Sequence, residues 1–525
     1  MQTQLEERQA ERANANAPLP RVRLIAAIAL LIGLAVLVGV VGSKWPFTEL
    51  AMLRSLQEQS GTQVQVTGFR QTYFPHPGCV ADGVTFRKGN AQPFITIQKL
   101  TVAGSYHGLL TNHLKSIRAD GFRLVIDKQT FSGALGKTSP GLTIGEIIAD
   151  GAEIAFPAQQ KGEEPLVFRI PKLALHDVAD TQPLRFETTV QLPKPVAEVE
   201  VTGKFGPWRA GQTAQTRLSG SYALHRLDLG SFAGLAGQMI ASGKFDGELQ
   251  GVKVEGSLDA PDFEVRQSKH PVHLVAQYDA TVNGLNGDVE IDAARAHFRG
   301  TTIFGAGTVS GEGLEQGKAV TAELSSKQAR IEDLLWLFVS GNQPAMAGPI
   351  VFRAKVQLPP ENRSFTKKVK LEGDFGVSNA QYPNATTQKN IDLLSARARG
   401  QADKVEDQQD KVGNNYDPGK VLSDVKGHVV LNDGIAHLSN VSFAVPGAQA
   451  FVSGTYSLLT EKVDLSGHMR LEAELSKATT GVKSVLLKVM QPFMHKSKHQ
   501  VSVVAIRIGG TYGNPTYTAV PKAEK

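Results

Sequence analysis

Val463-Asp464-Leu465-Ser466-Gly467-His468-Met469-Arg470-Leu471-Glu472-Ala473-Glu474-Leu475 is the stretch on which the fold turns. Val463, Leu465, Met469, Leu471 and Leu475 fall on one phase of a two-residue period, and Asp464, Ser466, His468, Arg470, Glu472 and Glu474 on the other. Successive strand side chains point to opposite faces, so this reads as a strand with one apolar and one wet face. Just upstream, Val441, Phe443 and Val445 alternate with Ser442 and Ala444, and Pro446-Gly447 turns the chain into a second strand from Phe451 to Tyr456. Strands joined by tight turns make an antiparallel meander rather than a βαβ unit.

Working outward, the same period begins at Phe94-Ile95-Thr96-Ile97-Gln98 and Leu124-Val125-Ile126, and most of the 52 glycines and 26 prolines fit the turns between strands. Val254-Glu255-Gly256-Ser257-Leu258-Asp259-Ala260-Pro261-Asp262-Phe263 is echoed by Ile508-Gly509-Gly510-Thr511-Tyr512-Gly513-Asn514-Pro515-Thr516-Tyr517, and more briefly from Val201 to Trp208. The repeat reads as a strand, a glycine where the chain bends and a proline-fixed turn, which is architecture and not chemistry. Helices are expected at 228 to 241, rich in Gly and Ala, and at 331 to 340, apolar almost all round and so buried on more than one side. A third, 481 to 491, sets Val482, Val485, Leu486 and Val489 on one stripe before Pro492, a pattern that suits a helix capping the end of a sheet better than one touching a membrane. The charged stretch 401 to 419 departs from any strand pattern and reads as a solvated loop insertion.

Leu24 to Ser43 is an uncharged apolar run flanked by Arg23 and Lys44, with Trp45 placed for a membrane interface. At 1.5 Å per residue, a helix of about 20 residues covers a hydrocarbon core of ~30 Å. The run is longer than a signal-peptide core and ends in a weak cleavage site, so it reads as a retained anchor. Arg8, Arg12, Arg21 and Arg23 precede it and only Lys44 and Arg54 follow closely, which leaves the N-terminus in the cytoplasm and exports the rest. Residues 47 to 59, with Phe47, Leu50, Leu53 and Leu56 at every third position, read as a short helix leaving the membrane.

The chain has 525 residues, 41% hydrophobic and 20% charged, the composition of a large folded body. Its single cysteine, Cys79, excludes an intramolecular disulfide framework and reads as a small buried hydrophobe. The 56 basic and 50 acidic residues are interspersed, without a basic stripe backed by stacking aromatics, which argues against nucleic acid as a partner. No His-Glu-x-x-His, Gly-x-Ser-x-Gly, P-loop or CxxC motif is present, so no catalytic residue and no cofactor is expected. His270 with His273, and His495 with His499, have spacings a metal could use, but no acidic or cysteine partner stands nearby and no metal site is expected. Asn384-Ala385-Thr386 and Asn440-Val441-Ser442 match glycosylation acceptors, triplets that also arise by chance.

From Ser423 to Tyr517 the chain resembles the C-terminal region of the bacterial AsmA family. The matching pieces, in order, are Leu431-Asn432-Asp433-Gly434, Leu438-Ser439-Asn440-Val441-Ser442-Phe443, Gly454-Thr455-Tyr456, Val463-Asp464-Leu465-Ser466-Gly467 and Ile508-Gly509-Gly510-Thr511-Tyr512-Gly513-Asn514-Pro515. The N-terminal part is similar to that family as well, in its anchor, in Tyr73-Phe74-Pro75-His76-Pro77-Gly78, in Asp82-Gly83-Val84-Thr85-Phe86 and in the strands from Ile95 to Val102. Residues 331 to 356 fit its helix-then-strand element.

The resemblance implies a mainly β fold: one N-terminal transmembrane helix, then a long, curved antiparallel sheet forming an open groove, with a few interspersed and capping helices. It also implies an inner-membrane protein with its bulk in the periplasm, whose groove carries phospholipid acyl chains and supports the outer membrane. The organisation expected is a cytoplasmic tail at 1–23, an anchor at 24–43, an N-terminal β region at 44–220, a middle groove region with inserted helices at 221–400, the polar insertion at 401–419 and a C-terminal β region with a capping helix at 420–525. On alternation alone Val441, Phe443, Val463, Leu465, Met469 and Leu471 are the expected groove lining. About 25 to 30 strands at ~4.8 Å would make a groove of roughly 120 to 145 Å, short enough to call for a periplasmic or outer-membrane protein partner or a shuttle-like role. The competing reading is a periplasmic scaffold for outer-membrane protein assembly, because the same alternation would suit a sandwich whose interior is filled by side chains.

Overall fold

The computed structural model describes residues 47–89, 92–125, 143–156, 166–179, 181–193, 196–207, 212–232, 234–311, 318–361, 363–399, 421–471, 502–512 and 514–520. The anchor at 24–43 with Arg23, Lys44 and Trp45, the insertion at 401–419, the helix expected at 481–491, and His495 and His499 lie outside these residues. Among the described residues no helix is long and apolar enough to cross a membrane.

Among the described residues strands dominate, and they form one sheet of 27. From Leu166–Ala179 onward each strand except the short Leu235–Ala236 pairs antiparallel with the next along the chain, through Leu184–Pro193, Val196–Phe205, Arg217–Asp228, Gln238–Glu248, Gly251–Val265, Val272–Val282, Val289–Phe298 and Thr301–Ser310 and on to Asn514–Val520. The expected meander is therefore present, but the sheet is mixed. His113–Asp120 pairs parallel with Thr143–Ile148, and Arg123–Val125 parallel with Ala152–Phe156. In both cases two short strands follow one another along a single position in the sheet, so the chain must cross over to run alongside them in the same direction. Four such pairs share a position, including Gln63–Gln65 with Gly68–Thr72 and Leu235–Ala236 with Gln238–Glu248, which leaves 23 positions in line. At ~4.8 Å per step the contour is about 105 Å, shorter than the sequence suggests.

Five helices accompany the sheet among the described residues: α1 (Glu49–Ser60), α2 (Tyr106–Thr111), α3 (Ile331–Phe338), α4 (Phe365–Lys368) and α5 (Ala385–Ala398). α1 occupies the expected place, but its buried face is Met52 and Leu56, four residues apart, while Leu50 is 76% exposed. A three-residue spacing drifts around a 3.6-residue helix, and the four-residue step keeps to the core. Residues 228 to 241 are not helical. Asp228 caps a single 3-10 turn at Leu229–Ser231, and Gly234 and Gly237 then take φ of +93° and +108°, which a helix cannot accommodate. From Gln238 the chain alternates as a strand whose inward positions are Met239, Ala241, Gly243 and Phe245. The proposed repeat also divides: Asn514-Pro515 does leave a hairpin turn, whereas Pro261 sits inside the strand Gly251–Val265 at a shift of register.

Packing changes along the sheet. The N-terminal part rolls into a closed core with α1, in which Phe86, Leu100, Ile117, Phe122, Leu124 and Ile154 are each 2% exposed or less. Cys79 lies in this core with no exposure, and burial pushes its thiol up to about 12, as a packing residue and not a reactive one. Two later helices dock on the apolar face of the sheet near the strand ends that carry the 265–272, 298–301 and 445–448 turns. α3 packs Leu337 with Val265, Val272 and Phe298, and places Ile331 and Leu334 with Val377, Val425, Val441 and Val452. α5 packs Ala398, Ile391 and Leu394 with Val445, Ala448, Met469 and Leu471.

The sheet coils far enough for its opposite rims to meet. Gln267, in the turn after Gly251–Val265, donates from Nε2 to the Leu458 carbonyl, in a turn at the other strand ends. Ser340 Oγ donates to Glu461 Oε1 at 2.5 Å, and the Ala345 N–H donates to Tyr512 Oη at 2.6 Å. Burial and the charge of Glu461 hold the Tyr512 hydroxyl above its usual value.

Candidate functional site: an apolar sheet face floored by glycine

The candidate site is the apolar face of the strands from Val196–Phe205 to Thr301–Ser310. Antiparallel register carries one phase of each strand onto this face: Val201 lies opposite Tyr222, Leu224 opposite Ala241, Ala241 opposite Leu258 and Leu258 opposite Ala276. Lys244, Asp246, Glu255, Asp279 and Arg295 fall on the other phase and face away. In the N-terminal core the apolar phase is shut off from solvent, but here Met239, Phe245, Val254, Leu258, Ala276 and Tyr278 are only half-buried. A sandwich filled by side chains would bury them fully.

Two rows of side chains cross this face with the same plan. In the first, Phe186, Gly203, Gly220 and Phe245 lie side by side on four successive sheet positions. In the second, two residues along, Tyr222, Gly243, Gly256 and Tyr278 do the same. Aromatic rings lie over the paired glycines: a Cβ on Gly220 would stand 2.7 Å from Phe245 Cζ, and one on Gly256 2.8 Å from Tyr278 Cζ. Glycine removes the side chain that would hold the rings off the backbone and lets the sheet bend sharply there. In the second row the two hydroxyls meet in a Tyr222–Tyr278 hydrogen bond. Burial, and then that hydrogen bond, raise the Tyr222 hydroxyl well above its ordinary value, so it keeps its proton across the physiological range.

All six expected lining residues, Val441, Phe443, Val463, Leu465, Met469 and Leu471, fall on the apolar phase of their strands, but not in equivalent surroundings. Val441 and Leu465 share a cluster with α3, and Met469 and Leu471, 6% and 3% exposed, share one with α5, while Phe443 belongs to both clusters. The two helices thus occupy much of this face at the C-terminal end. The more accessible part is the middle, and sequence reasoning passed over Tyr222, Gly243, Gly256 and Tyr278. The signal was there: glycine and aromatic residues share one phase in neighbouring strands, although only the register reveals that they line up.

His270 and His273 do not form a metal pair. His270 stacks on Trp336 at 3.9 Å between ring centroids and its Nδ1 is 3.0 Å from the Trp336 carbonyl, whereas His273 Nε2 is 2.8 Å from Asp259 Oδ1 on the outward face. Among the described residues no group of three or more His, Cys, Asp or Glu is arranged to hold a metal ion. Asn384 accepts from the Thr387 N–H at 3.0 Å and so caps α5, and Asn440 takes φ +51° at a shift of register. A concavity of about 500 Å³ lies on the polar face behind the glycine rows, bordered by His225, Asp259, Gln277, Arg295 and His297.

Compared with known protein families, with characterised proteins and with solved structures, the chain matches none.

Proposed function

We propose that this protein is a membrane-anchored lipid-transfer protein of the AsmA-like kind, held in an inner membrane by residues 24–43 with its sheet in the periplasm. The curved sheet serves as an open groove that shelters phospholipid acyl chains on their way between the inner and outer membranes. The observation that carries this reading is the apolar face of the strands from Val196–Phe205 to Thr301–Ser310, which has no charged side chain and whose middle rows, away from the end that α3 covers, are only half-buried. Sheltering a saturated chain there is worth up to ~0.8 kcal/mol per methylene, so a groove needs no chemistry to hold a lipid. A contour of about 105 Å, shortened by coiling, suits a shuttle or one member of a relay. Net direction comes from a lipid gradient or an energised partner.

The assembly-factor reading keeps one specific support: Asn514–Val520 is paired on one side only among the described residues, an edge that could accept a strand from a client protein. The test of the main reading is photo-crosslinking in cells from position 245, on the apolar phase, and from position 244, on the outward phase. Phospholipid captured at 245 and not at 244 supports carriage on this face. Capture of outer-membrane protein precursors without lipid moves the assignment to assembly.

A further inference from the structure

The two aromatic-glycine-glycine-aromatic rows pose a chemical question. Phe186 and Phe245 fill the first row with rings alone, so the fold needs only rings at these positions. The second row has tyrosines, and their hydroxyls meet on an otherwise apolar surface. On the strands from Val196–Phe205 to Thr301–Ser310, apart from Thr301 at the rim, Tyr222 and Tyr278 carry the only side-chain hydrogen-bonding groups of this face among the described residues. Two hydroxyls hold two hydrogens, and the bond between them uses one. The second hydrogen is left to donate, in a setting where a lost hydrogen bond is costly.

The electrostatics define what it donates to. Every charged side chain of these strands is on the outward phase, so nothing on this face would neutralise a phosphate, and burying one here would be strongly unfavourable. A neutral acceptor oxygen attached to apolar chains matches both features. We propose that the Tyr222–Tyr278 pair is a binding point for the ester carbonyl of an acyl lipid, fixing the junction of chains and headgroup at one depth in the groove while the phosphate stays in water. This rests on the lipid-carrying reading and sharpens it: the groove recognises the ester and not the headgroup.

The test uses the full chain, incubated with vesicles holding equal amounts of diacyl and dialkyl (ether-linked) phosphatidylethanolamine plus diacylglycerol, with the bound lipids counted by mass spectrometry. The wild-type protein is expected to hold the diacyl lipid over its ether analogue by about three- to tenfold, the factor one net hydrogen bond supplies. Diacylglycerol should be retained as well as the diacyl phospholipid, since the phosphate is not read. Tyr222→Phe and Tyr278→Phe, each alone, leave one hydroxyl with a free hydrogen and should keep most of the preference. The double variant keeps both rings over the glycines and should lose it, with ether-lipid binding and thermal midpoint unchanged. Equal retention of ester and ether lipids by the wild type, or a preference that survives in the double variant, overturns the ester site and leaves lipid carriage standing. Retention of no lipid at all overturns both.

Discussion

The hydroxyl of Tyr222 is hydrogen-bonded to that of Tyr278 across two intervening strands, an arrangement possible only because those strands present Gly243 and Gly256 beneath the rings. At ~4.8 Å per step the two tyrosine backbones are about 14 Å apart, so each side chain must lie flat along the sheet to reach the other. Two large side chains and two absent ones thus form a single unit.

That unit gives opposite expectations for its two glycines. The three atoms nearest a Cβ at Gly256 would all belong to tyrosines, Tyr222 Oη at 2.4 Å and Tyr278 Cζ and Oη at 2.8 Å, whereas one at Gly243 would meet the Glu255 carbonyl at 2.3 Å. Gly256→Ala should cost about 1–2 kcal/mol, and most of that should vanish in a Tyr222→Leu, Tyr278→Leu background. Gly243→Ala should cost at least as much, with no such rescue. Denaturant unfolding of the six proteins, wild type and background with each glycine variant in both, measures both couplings.

Asp333 should prove the anchor of α3. It is 3% exposed and accepts from Arg299 Nε at 2.9 Å, the Gly300 N–H at 3.0 Å and Thr301 Oγ1 at 2.9 Å, tying the helix to the turn at 298–301. Asp333→Ala strands three donors and should destabilise the chain by about 3 kcal/mol. Hydrogen exchange should show α3 losing protection before the strands at 78–104 do.

Acid should loosen the contacts that tie the turn at 283–288 to Ser310, Gly311 and Lys318. Desolvation acts to raise the Asp288 carboxyl, but hydrogen bonds from Lys318, the Gly311 N–H and Ser310, with the charge of Lys318, outweigh it and hold the group below the ordinary carboxylate value. A depressed folded value means the contribution is complete above the unfolded value near 4 and is lost as pH falls through the folded one. Lys318 Nζ is 2.8 Å from Asp288 Oδ1 with its side chain 2% exposed. Asp288→Asn should therefore cost about 2 kcal/mol at neutral pH and flatten the acid limb of the stability curve. Lys318→Met, which removes the buried charge, should cost less.

Charge placed on the open part of the apolar face should stop carriage without unfolding. Val254→Asp with Leu258→Asp lies where the neighbours are half-buried, and a transfer assay between vesicles should fall at least tenfold while the circular dichroism is kept. Leu465→Asp with Met469→Asp would instead strike residues that share clusters with α3 and α5, so loss of folded protein is the expected result there.

How far the sequence could be read depended on the range of the interaction. The alternation at 441–445 and 463–471 is local and maps directly onto strands, and the helix at 331–338 declares itself by composition. At 228–241 the same logic failed because Gly and Ala fit the helix and strand periods equally well, and the choice was made by two positive φ angles and by pairing with the strand at 251–265. α5 went unread although Ile391, Leu394 and Ala398 are spaced at three and four residues, since its apolar stripe is short and acquires meaning only beneath the 445–448 turn. The glycine rows are less legible still, because each draws one residue from each of four strands and no single segment contains the pattern.

The meeting of the two rims changes how the molecule comes apart. A meander whose strands touch only their neighbours is nearly one-dimensional, free to fray from either end one hairpin at a time. The bonds from Gln267 to Leu458, Ser340 to Glu461 and Ala345 to Tyr512 close that ribbon on itself, linking residues 191, 121 and 167 places apart in the chain. Unzipping from the C-terminus then strips supporting contacts from the turns at 265–272 and 338–349, so the two regions melt as one cooperative unit and the turn at 457–463 helps to hold the rim of a glycine-floored wall 191 residues away in the chain.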